Sequence, residues 1–414
     1  MLVTVLYLIL ALSDLIPRGI IYLSSLIPSP VQRLLDYIYL HSTFLQSIIA
    51  YRFADELAPD IISLGQIAGV DVTSHHTLTK DGFSLVMHRL QSQQQCNPKK
   101  NDKKCVVLII HGLMQSSEAL LCGGSNSIGA TLSNEGYDVF LGNNRGNKYS
   151  YKHMTFDRKD EQYWNFSLDD LVKYDVPAMI EYICSYTNSK NIVCIGFSNG
   201  SAQLLAALST NSRLNDAVSL CIALSPAAKA KGFSNKHLSN LLTKDNINRN
   251  VFRICGKKAM FNSSVYLWQK LLTTQAFQSI VQKSMKIIFG WSSSNISHSR
   301  RVEMFRHIFS DSSVKSVAQW FQIIKRKALS TYAADDSDDS KVYEISSIKT
   351  NVAVFAGGSD ALIDPYIIQE ELKKNNNHIS THIEPSYEHL DLIWADDAHV
   401  KIFPKIMKLL EKHT

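Results

Sequence analysis

The sequence has no CxxC pair among its seven cysteines. The lack of that spacing argues against a zinc site, and an odd number of scattered cysteines argues against a disulfide scaffold. Cys105, Cys194 and Cys221 fall in apolar runs of strand length, where a free thiol packs as a small hydrophobic group. We therefore expect buried free thiols and no metal site.

The chain also lacks a strong excess of one charge. Lys and Arg outnumber Asp and Glu by 43 to 37, and charged residues make up 19% of the 414 residues. The basic residues are scattered and are not interleaved with aromatic ones, which argues against nucleic-acid binding. A mild positive charge favours at most a weak attraction to anionic membrane surfaces. A hydrophobic content of 45% is enough for a substantial core and excludes a disordered chain.

The apolar N-terminal segment, residues 1–30, lacks the uninterrupted run of about 20 apolar residues that a membrane span needs. Asp14, Pro17 and Arg18 divide it into two halves. No basic region precedes it and no small-residue cleavage site follows, so the features of a signal peptide are missing. We expect both halves to lie in one leaflet of a membrane or in a phospholipid monolayer. A kinked span and a buried N-terminal helix are the alternatives.

Short apolar runs alternate with helical patterns along most of the remaining chain. Such alternation predicts an α/β fold with a doubly wound, mostly parallel sheet and helices on both faces. Upstream, residues 61–70 and 72–89 are predicted as a strand pair with a turn at 80–82. Residues 168–185 are predicted as a helix with Ser167 as its N-cap. The later strands are predicted at 105–110, 136–141, 192–195, 219–224, 351–356 and 378–383.

A long helical stretch interrupts this alternation and predicts a cap inserted over the carboxyl edge of the sheet. Its apolar side chains either pack helices together or line an acyl-binding wall. The predicted segments are an apolar anchor at 1–30, a first part of the core at 31–227, the cap at 228–348 and a second part of the core at 349–414. The large apolar residues of the cap are Phe252, Met260, Phe261, Tyr266, Leu267, Trp268, Phe277, Ile287, Phe289, Trp291, Phe305, Trp320 and Phe321.

One stretch, residues 191–203, combines a strand, a glycine-flanked turn and a helix, and it reads NIVCIGFSNGSAQ. This is the context that a G-x-S-x-G nucleophile elbow requires. Such a turn strains the backbone of its central residue, and Gly196 and Gly200 avoid steric overlap on either side. Ser198 is therefore the candidate nucleophile. The helix that begins beside it places positive partial charge where an oxyanion would form.

The acid and the base are expected downstream, because a hydrolase of this architecture carries them in the order Ser, Asp or Glu, then His. Asp360 follows a predicted strand and fits the acid. Asp364 is the alternative, but a turn or helix-cap role explains it. His389 lies on a loop after the last predicted strand and fits the base. His382 within that strand and His399 in the final helix are interpreted as structural.

A serine hydroxyl becomes a useful nucleophile when a neighbouring imidazole takes its proton and a carboxylate orients that imidazole. The oxyanion hole is expected from the main-chain amides of Leu113 and Asn199, since Gly112 permits a tight turn after the strand at 105–110. His111 is interpreted as a structural hydrogen-bonding residue. This chemistry needs no metal and no organic cofactor.

Six blocks of sequence, in this order, resemble the acid lipase family, which includes gastric and lysosomal acid lipases and the yeast steryl ester hydrolases. The resemblance covers most of the chain from about Asp71 onward. It implies an α/β-hydrolase fold and hydrolysis of steryl esters, with triacylglycerol as a second substrate. The blocks are HGLM from His111, GNNRGNKYS from Gly142, WNFSLDDLVKYDVPAMIEYI from Trp164, GFSNGSAQ from Gly196, GGSDALID from Gly357 and YEHLDLIW from Tyr387.

Matched to the family position by position, the resemblance implies Ser198 as nucleophile, Asp360 as acid, His389 as base, and the amides of Leu113 and Asn199 as oxyanion hole. Asn199 departs from the Gln that the family usually has there. The N-terminus and the GNNRGNKYS and HLDLIW blocks are most similar to yeast sterol esterases of lipid droplets. That similarity implies a lipid droplet or endoplasmic reticulum location, attachment through residues 1–30, and a catalytic domain facing the cytosol.

Three other interpretations are weighed against this one. The main activity could be on triacylglycerol, or the chain could be a non-catalytic lipid-binding protein of the same fold, although no triad residue is lost. A secreted lipase would explain the N-x-S/T sequons, but the missing signal-peptide features argue against it, and one sequon lies inside the elbow. The sequons begin at Asn165, Asn199, Asn262 and Asn295.

Overall fold

The computed structural model describes residues 58–93, 105–228, 231–232, 246–260, 269, 273–335, 340–374 and 378–413. The predicted N-terminal anchor, residues 1–30, lies outside these ranges, as do Phe261, Tyr266, Leu267 and Trp268 of the cap. Among the helices in the described ranges, none is long and apolar enough to cross a membrane.

A nine-stranded sheet forms the centre of the described chain, in the order β1-β2-β4-β3-β6-β7-β8-β9, with β5 paired to β2. The strands from β4 to β9 in this order pair in parallel, whereas β1, β2 and β5 pair antiparallel. The predicted, mostly parallel sheet is therefore confirmed. The strands are β1 (Val70–Leu78), β2 (Phe83–Ser92), β3 (Val106–Ile110), β4 (Asp138–Gly142), β5 (Lys152–His153), β6 (Ile192–Phe197), β7 (Val218–Leu224), β8 (Asn351–Gly357) and β9 (His378–Glu384).

The continuous apolar runs of the central strands follow from burial on both faces. In β6, Val193 and Ile195 pack into one hydrophobic core, and Ile192 and Cys194 pack into the core on the opposite face. Strands covered on both sides need apolar residues at every position, because neighbouring side chains point in opposite directions. The sheet is thus a rigid platform with one core above and one below.

Helices cover both faces of this sheet, as predicted. Leu132 and Ile406 bring two helices to one face, and Met179 and Leu204 bring two others to the opposite face. The helices are α1 (Ile61–Ala68), α2 (Ile128–Asn134), α3 (Leu168–Asp170), α4 (Val176–Thr187), α5 (Asn199–Thr210), α6 (Ser212–Ala217), α7 (Ile247–Cys255), α8 (Thr274–Phe289), α9 (His298–Met304), α10 (Val314–Arg326), α11 (Pro365–Lys373), α12 (Asp391–Trp394), α13 (Ala398–Lys401) and α14 (Phe403–Leu410).

The strand predicted at 61–70 is wrong, because most of that stretch is helix α1. Ile61, Leu64 and Ala68 are buried at helical spacing. Asp60 caps the helix by accepting a 2.9 Å hydrogen bond from Ser63 N. Gly69 ends the helix in a left-handed conformation with φ of 72°. The strand pair that was predicted to turn at 80–82 is present as β1 and β2.

The helix predicted at 168–185 is present with an irregular middle. Ser167 is its N-cap, and a capping box with Asp170 closes the first turn of α3. A π-helical turn, Leu171–Asp175, then joins α3 to α4. Pro177 lies in the first turn of α4, and because proline has no N–H it cannot donate the regular bond to the preceding turn.

The cap lies in the chain between β7 and β8, and its described helices are α7 to α10. It contacts the loops that follow the parallel strands: Ser310 N donates to Met114 O at 2.6 Å, and Ser310 Oγ accepts from Lys148 N at 3.0 Å. Gln319 on α10 also accepts a 2.8 Å hydrogen bond from Leu168 N at the start of α3. These contacts hold the cap over the carboxyl edge of the sheet. The division of the chain at residues 227 and 348 stays a prediction.

Candidate active site

Ser198 lies between β6 and α5 in a strained backbone conformation, with φ of 53° and ψ of −111°. A methyl group on Gly196 would overlap the backbone of Ser201 and Gly200, and one on Gly200 would overlap the carbonyl of Ile110. Only glycine fits at these two positions, because the loop and helix backbones approach too closely for a side chain. The strand, turn and helix predicted for this stretch are all present, and the half-buried Ser198 stands at the tip of the turn.

The structure brings Ser198, His389 and Asp360 into one hydrogen-bonded chain. Ser198 Oγ lies 2.7 Å from His389 Nε2, and His389 Nδ1 lies 2.7 Å from Asp360 Oδ2. Because a carboxylate can only accept, the ring proton belongs on Nδ1, and Nε2 is free to accept the serine proton. His389 and Asp360 are each 2% exposed, so the pair is shielded from water.

Two further contacts fix the orientation of the imidazole and the carboxylate. Asp360 Oδ1 accepts a 2.9 Å hydrogen bond from Leu362 N, which leaves Oδ2 for the histidine. The backbone carbonyl of His389 accepts a 3.0 Å hydrogen bond from Ser225 Oγ. Ser225 follows β7 with a positive φ of 44°, so a second strained residue supports the site.

The loops that carry the acid and the base are bonded to one another along their backbones. Gly358 N donates to Glu384 O at 2.8 Å, and Ser359 N donates to Tyr387 O at 3.0 Å. A methyl group on Gly357 would overlap the carbonyl of Tyr387. These contacts explain why two residues 29 positions apart meet with hydrogen-bonding geometry.

The rival residues named above have other partners. Asp364 is the N-cap of α11, where its Oδ1 accepts from Tyr366 N at 3.1 Å and Ile367 N at 3.3 Å. His382 lies within β9 and stacks on Phe355 with 4.8 Å between ring centroids. Neither side chain takes part in the chain of hydrogen bonds that ends on Ser198.

The two amides predicted for the oxyanion hole come from the loop after β3 and from the first residue of α5. Among the described residues, neither Leu113 N nor Asn199 N donates a hydrogen bond to a protein acceptor. Gln115 Oε1 accepts from Gly112 N at 2.9 Å, and Met114 adopts a positive φ of 54°. The hydrogen bond from Gly112 and the backbone conformation of Met114 shape the turn that carries Leu113 N. The sequence alone did not identify Gln115 as a residue that supports this turn.

His111 has the structural role expected of it. Burial lowers its pKa to about 4, so the ring is neutral at neutral pH. Its Nδ1 lies 2.8 Å from Gly112 O and therefore carries the proton. Its Nε2 accepts from Asn144 N and Asn147 Nδ2, each at 3.2 Å. The histidine thus joins the oxyanion loop to the GNNRGNKYS loop after β4.

The cap contributes two tryptophans that the sequence pattern could not distinguish from packing residues. Trp320 on α10 donates a 2.9 Å hydrogen bond from its Nε1 to Asn199 Oδ1. The side-chain amide of Asn199, where the family usually has Gln, is therefore hydrogen-bonded to the cap. Trp291, just after α8, stacks on His389 with 4.7 Å between centroids and 4° between ring planes. Both contacts bring the cap directly onto the candidate site.

None of the cysteines in the described ranges belongs to this site. Cys194 and Cys221 are buried free thiols, as predicted, and Cys105 is a half-buried one at the start of β3. Within the described residues, no group of three or more His, Cys, Asp or Glu side chains is placed to hold a metal ion.

Comparison with protein-family models matches two regions of the chain. A model described as alpha/beta hydrolase fold matches residues 106–396. A second, described as a partial alpha/beta-hydrolase lipase region, matches residues 61–124. Together the matches contain helix α1, the elbow, the cap and all three members of the hydrogen-bonded chain.

Three curated relatives with similar sequences carry names that describe lipases. A probable lipase of Schizosaccharomyces pombe is 36% identical over 367 residues, covering 86% of this chain and 80% of the relative. Lipase member K of Homo sapiens is 28% identical, covering 83% of this chain and 89% of the relative. Gastric triacylglycerol lipase of Homo sapiens is also 28% identical, covering 82% and 87%.

Solved structures support the fold. A soluble variant of monoglyceride lipase from Saccharomyces cerevisiae, solved with a substrate analogue, matches with a TM-score of 0.52. The match covers 86% of this chain and 99% of that chain at 15% sequence identity. At that identity the likeness concerns the fold alone.

Proposed function

We propose that this chain, a carboxylic ester hydrolase that belongs to the acid lipase family of α/β-hydrolases, cleaves steryl esters through a covalent acyl-enzyme. The observation that carries the proposal is the hydrogen-bonded chain from Ser198 through His389 to Asp360. Support for a steryl ester comes from the GNNRGNKYS and HLDLIW blocks, which resemble those of yeast steryl ester hydrolases.

In the proposed first half-reaction, Ser198 Oγ attacks the ester carbonyl carbon while His389 Nε2 takes the hydroxyl proton. Asp360 keeps the ring oriented and stabilises the imidazolium that forms. The amides of Leu113 and Asn199 receive the oxyanion of the tetrahedral intermediate. As the intermediate collapses, the bond to the sterol oxygen breaks and His389 donates its proton to that oxygen. Free sterol leaves, and the acyl group stays on Ser198.

The second half-reaction mirrors the first. Water attacks the acyl carbonyl while His389 takes one of its protons, and the new intermediate is stabilised by the same two amides. The bond to Ser198 Oγ then breaks, His389 returns the proton to the serine, and free fatty acid leaves. The burial of His389 and Asp360 favours these reaction steps, because fixed dipoles stabilise charge more strongly where water is excluded.

We also propose that residues 1–30 attach the enzyme to a lipid droplet or to the endoplasmic reticulum membrane, with the catalytic part facing the cytosol. Their apolar sequence supports attachment to a lipid surface. Deleting residues 1–30 is expected to release a fluorescent fusion of the protein from droplets and membranes. An unchanged distribution would disprove this attachment.

Triacylglycerol is the second candidate substrate, and similarity to gastric triacylglycerol lipase favours it. Purified protein should be assayed on cholesteryl oleate and triolein side by side, at neutral and acid pH, with Ser198→Ala as the control. Faster hydrolysis of cholesteryl oleate is expected. Faster hydrolysis of triolein would favour the second candidate. Equal rates for the wild type and Ser198→Ala would disprove both.

A further inference from the structure

We propose that Trp291 is a positioning residue for His389: its indole face holds the imidazole in line with Ser198 and stabilises the imidazolium that forms during the reaction. The inference rests on the proposed function, because it takes His389 as the base. It adds a member to the site that lies outside every motif in the sequence and comes from the cap.

The geometry of the stack carries the first step. The rings of Trp291 and His389 are nearly parallel, at 4° and 4.7 Å between centroids. Phe289 stacks on the same indole at 4.4 Å and 20°. Phe197 approaches the imidazole at 5.5 Å and a tilt of 53°. Trp291 is only 7% exposed, so the imidazole is enclosed by aromatic carbon and reached by little water.

The electrostatics of an aromatic face give the second step. The face of an indole carries negative partial charge and attracts a cation placed over it, and the attraction is stronger where water is excluded. His389 is neutral before Ser198 attacks and cationic in the transition state. An indole over its ring therefore stabilises the transition state more than the ground state, which is the condition for a rate effect.

Trp291 is fixed in place by residues beside His389 itself. Ser292 N and Oγ donate to Glu388 Oε1 at 2.9 and 2.8 Å, and Ser293 N donates to Glu388 Oε2 at 2.7 Å. Asn295 Nδ2 donates to Asp391 Oδ2 at 2.7 Å. The segment 291–295 is thus bonded to the residues on both sides of the histidine, so the stack is built into the loop.

The charged groups around His389 would be unchanged by replacing Trp291. Asp360 lies on Nδ1, Glu388 is held by the two serines, and Asp391 is held by Asn295. Ser198 on Nε2 is neutral. Burial raises the pKa of Asp391 to about 6, close to the acid limb. Both Trp291 variants keep Asp391 and its partner Asn295, so a difference in acid limb between the Phe and Leu variants reports on the aromatic face.

The test compares Trp291→Phe, which keeps an aromatic face, with Trp291→Leu, which removes it. The readout is kcat/KM for the soluble ester p-nitrophenyl butyrate across a range of pH. Losing a desolvated cation–π contact is expected to lower kcat/KM by about 5- to 30-fold in the Leu variant. The acid limb of the profile should move to lower pH by about 0.5 to 1 unit. The Phe variant should recover most of both effects.

Phe289→Leu is the matched control, since it removes an aromatic neighbour of Trp291 and leaves the stack on His389. Its acid limb is expected to coincide with that of the wild type. If Trp291→Leu fails to fold by urea unfolding, Trp291→Met removes the π face with a side chain that fills gaps more easily. An acid limb that stays in place in the folded variant, or equal losses in the Phe and Leu variants, would overturn the inference.

A fluorophosphonate that modifies activated serines separates this failure from failure of the proposed function. If Ser198 of the wild type does not react, the proposed function fails. If it reacts, and Ser198 of Trp291→Leu reacts at the same rate, only the positioning role fails. Slower reaction of the variant, restored in Trp291→Phe, is the expected result.

Discussion

Asp360 and Asp364 are both aspartates and lie four positions apart, but their surroundings give them different roles. Asp360 is 2% exposed and bonded to His389, whereas Asp364 caps α11 through backbone amides. Asp360→Asn would offer the ring a different partner and favour the wrong tautomer, so we expect kcat to fall by about 10⁴-fold. Ester hydrolysis under steady-state conditions measures this.

The matched control for that substitution is Asp364→Ala. Losing an N-cap costs about 0.5 to 2 kcal/mol of unfolding free energy, so this variant is expected to melt earlier and keep its kcat. If Asp364→Ala lost activity to the same degree as Asp360→Asn, the choice between the two carboxylates would be wrong.

Single residues differ in how far the sequence could identify them. Ser198 and Asp360 could be named because each follows a strand with a clear apolar run. His389 could be named because it lies on a loop after the last predicted strand and the order of the three residues in the chain is fixed. Trp291 and Gln115 could not be named as contributors. Nothing in their local sequence sets them apart, since their contacts with the site arise only when distant loops pack together.

Among the elements, the parallel strands were the most predictable because burial on both faces requires an unbroken apolar run. The strand prediction fails at helix α1, although Asp60 and Gly69 mark the two ends of the helix. Its apolar residues are dense enough to fit the helical period or the strand period, and the two capping residues are the signal that favours the helix. Short apolar segments are ambiguous when periodicity alone is used.

A hydrogen bond from Trp320 on α10 to the side-chain carbonyl of Asn199 on α5 joins the cap to the elbow. Trp320→Phe would leave the buried side-chain carbonyl of Asn199 without its hydrogen-bond donor. The loss is expected to lower the unfolding free energy by about 1 to 3 kcal/mol. Because Asn199 also supplies a predicted oxyanion amide, we expect kcat to fall more than KM changes. Urea unfolding and steady-state kinetics measure the two effects.

Trp164→Phe is the control for this substitution. Trp164 is another buried tryptophan, and its Nε1 donates to Arg158 O at 2.7 Å, away from the elbow. It should lose comparable stability and keep its kcat. An equal fall in kcat in both variants would mean that α10 has no specific effect on the elbow.

The whole molecule is expected to lose stability as the pH falls from neutral. Burial lowers the pKa of His88 and of His111 to about 4, whereas an unfolded chain protonates both near 6.5. Below that pH the unfolded state binds more protons, so stability is lost as the pH falls from 6.5 towards 4. Asp391 acts in the opposite direction, because burial raises its pKa to about 6, and acid then favours the folded state.

Two histidines outweigh one carboxylate, so we expect a net loss of about 2 kcal/mol in unfolding free energy between about pH 7 and about pH 5. Urea unfolding at the two pH values measures it. His88→Gln should remove much of the loss, whereas His298→Gln, at an exposed position, should leave it unchanged. A wild type that is more stable at the lower pH would show that the histidines do not dominate.

At the scale of the whole molecule, the proposed function requires that the Ser198 hydroxyl form a covalent bond with an acyl or phosphonyl group. The bond can be measured directly. The protein is treated with an alkyl phosphonate that carries a p-nitrophenolate leaving group, and peptide mass spectrometry then locates the adduct. We expect one adduct per chain on Ser198, loss of ester hydrolysis in step with the adduct, and a much slower reaction in His389→Ala. An adduct on another residue, or full hydrolysis after complete modification of Ser198, would show that this serine is not the nucleophile.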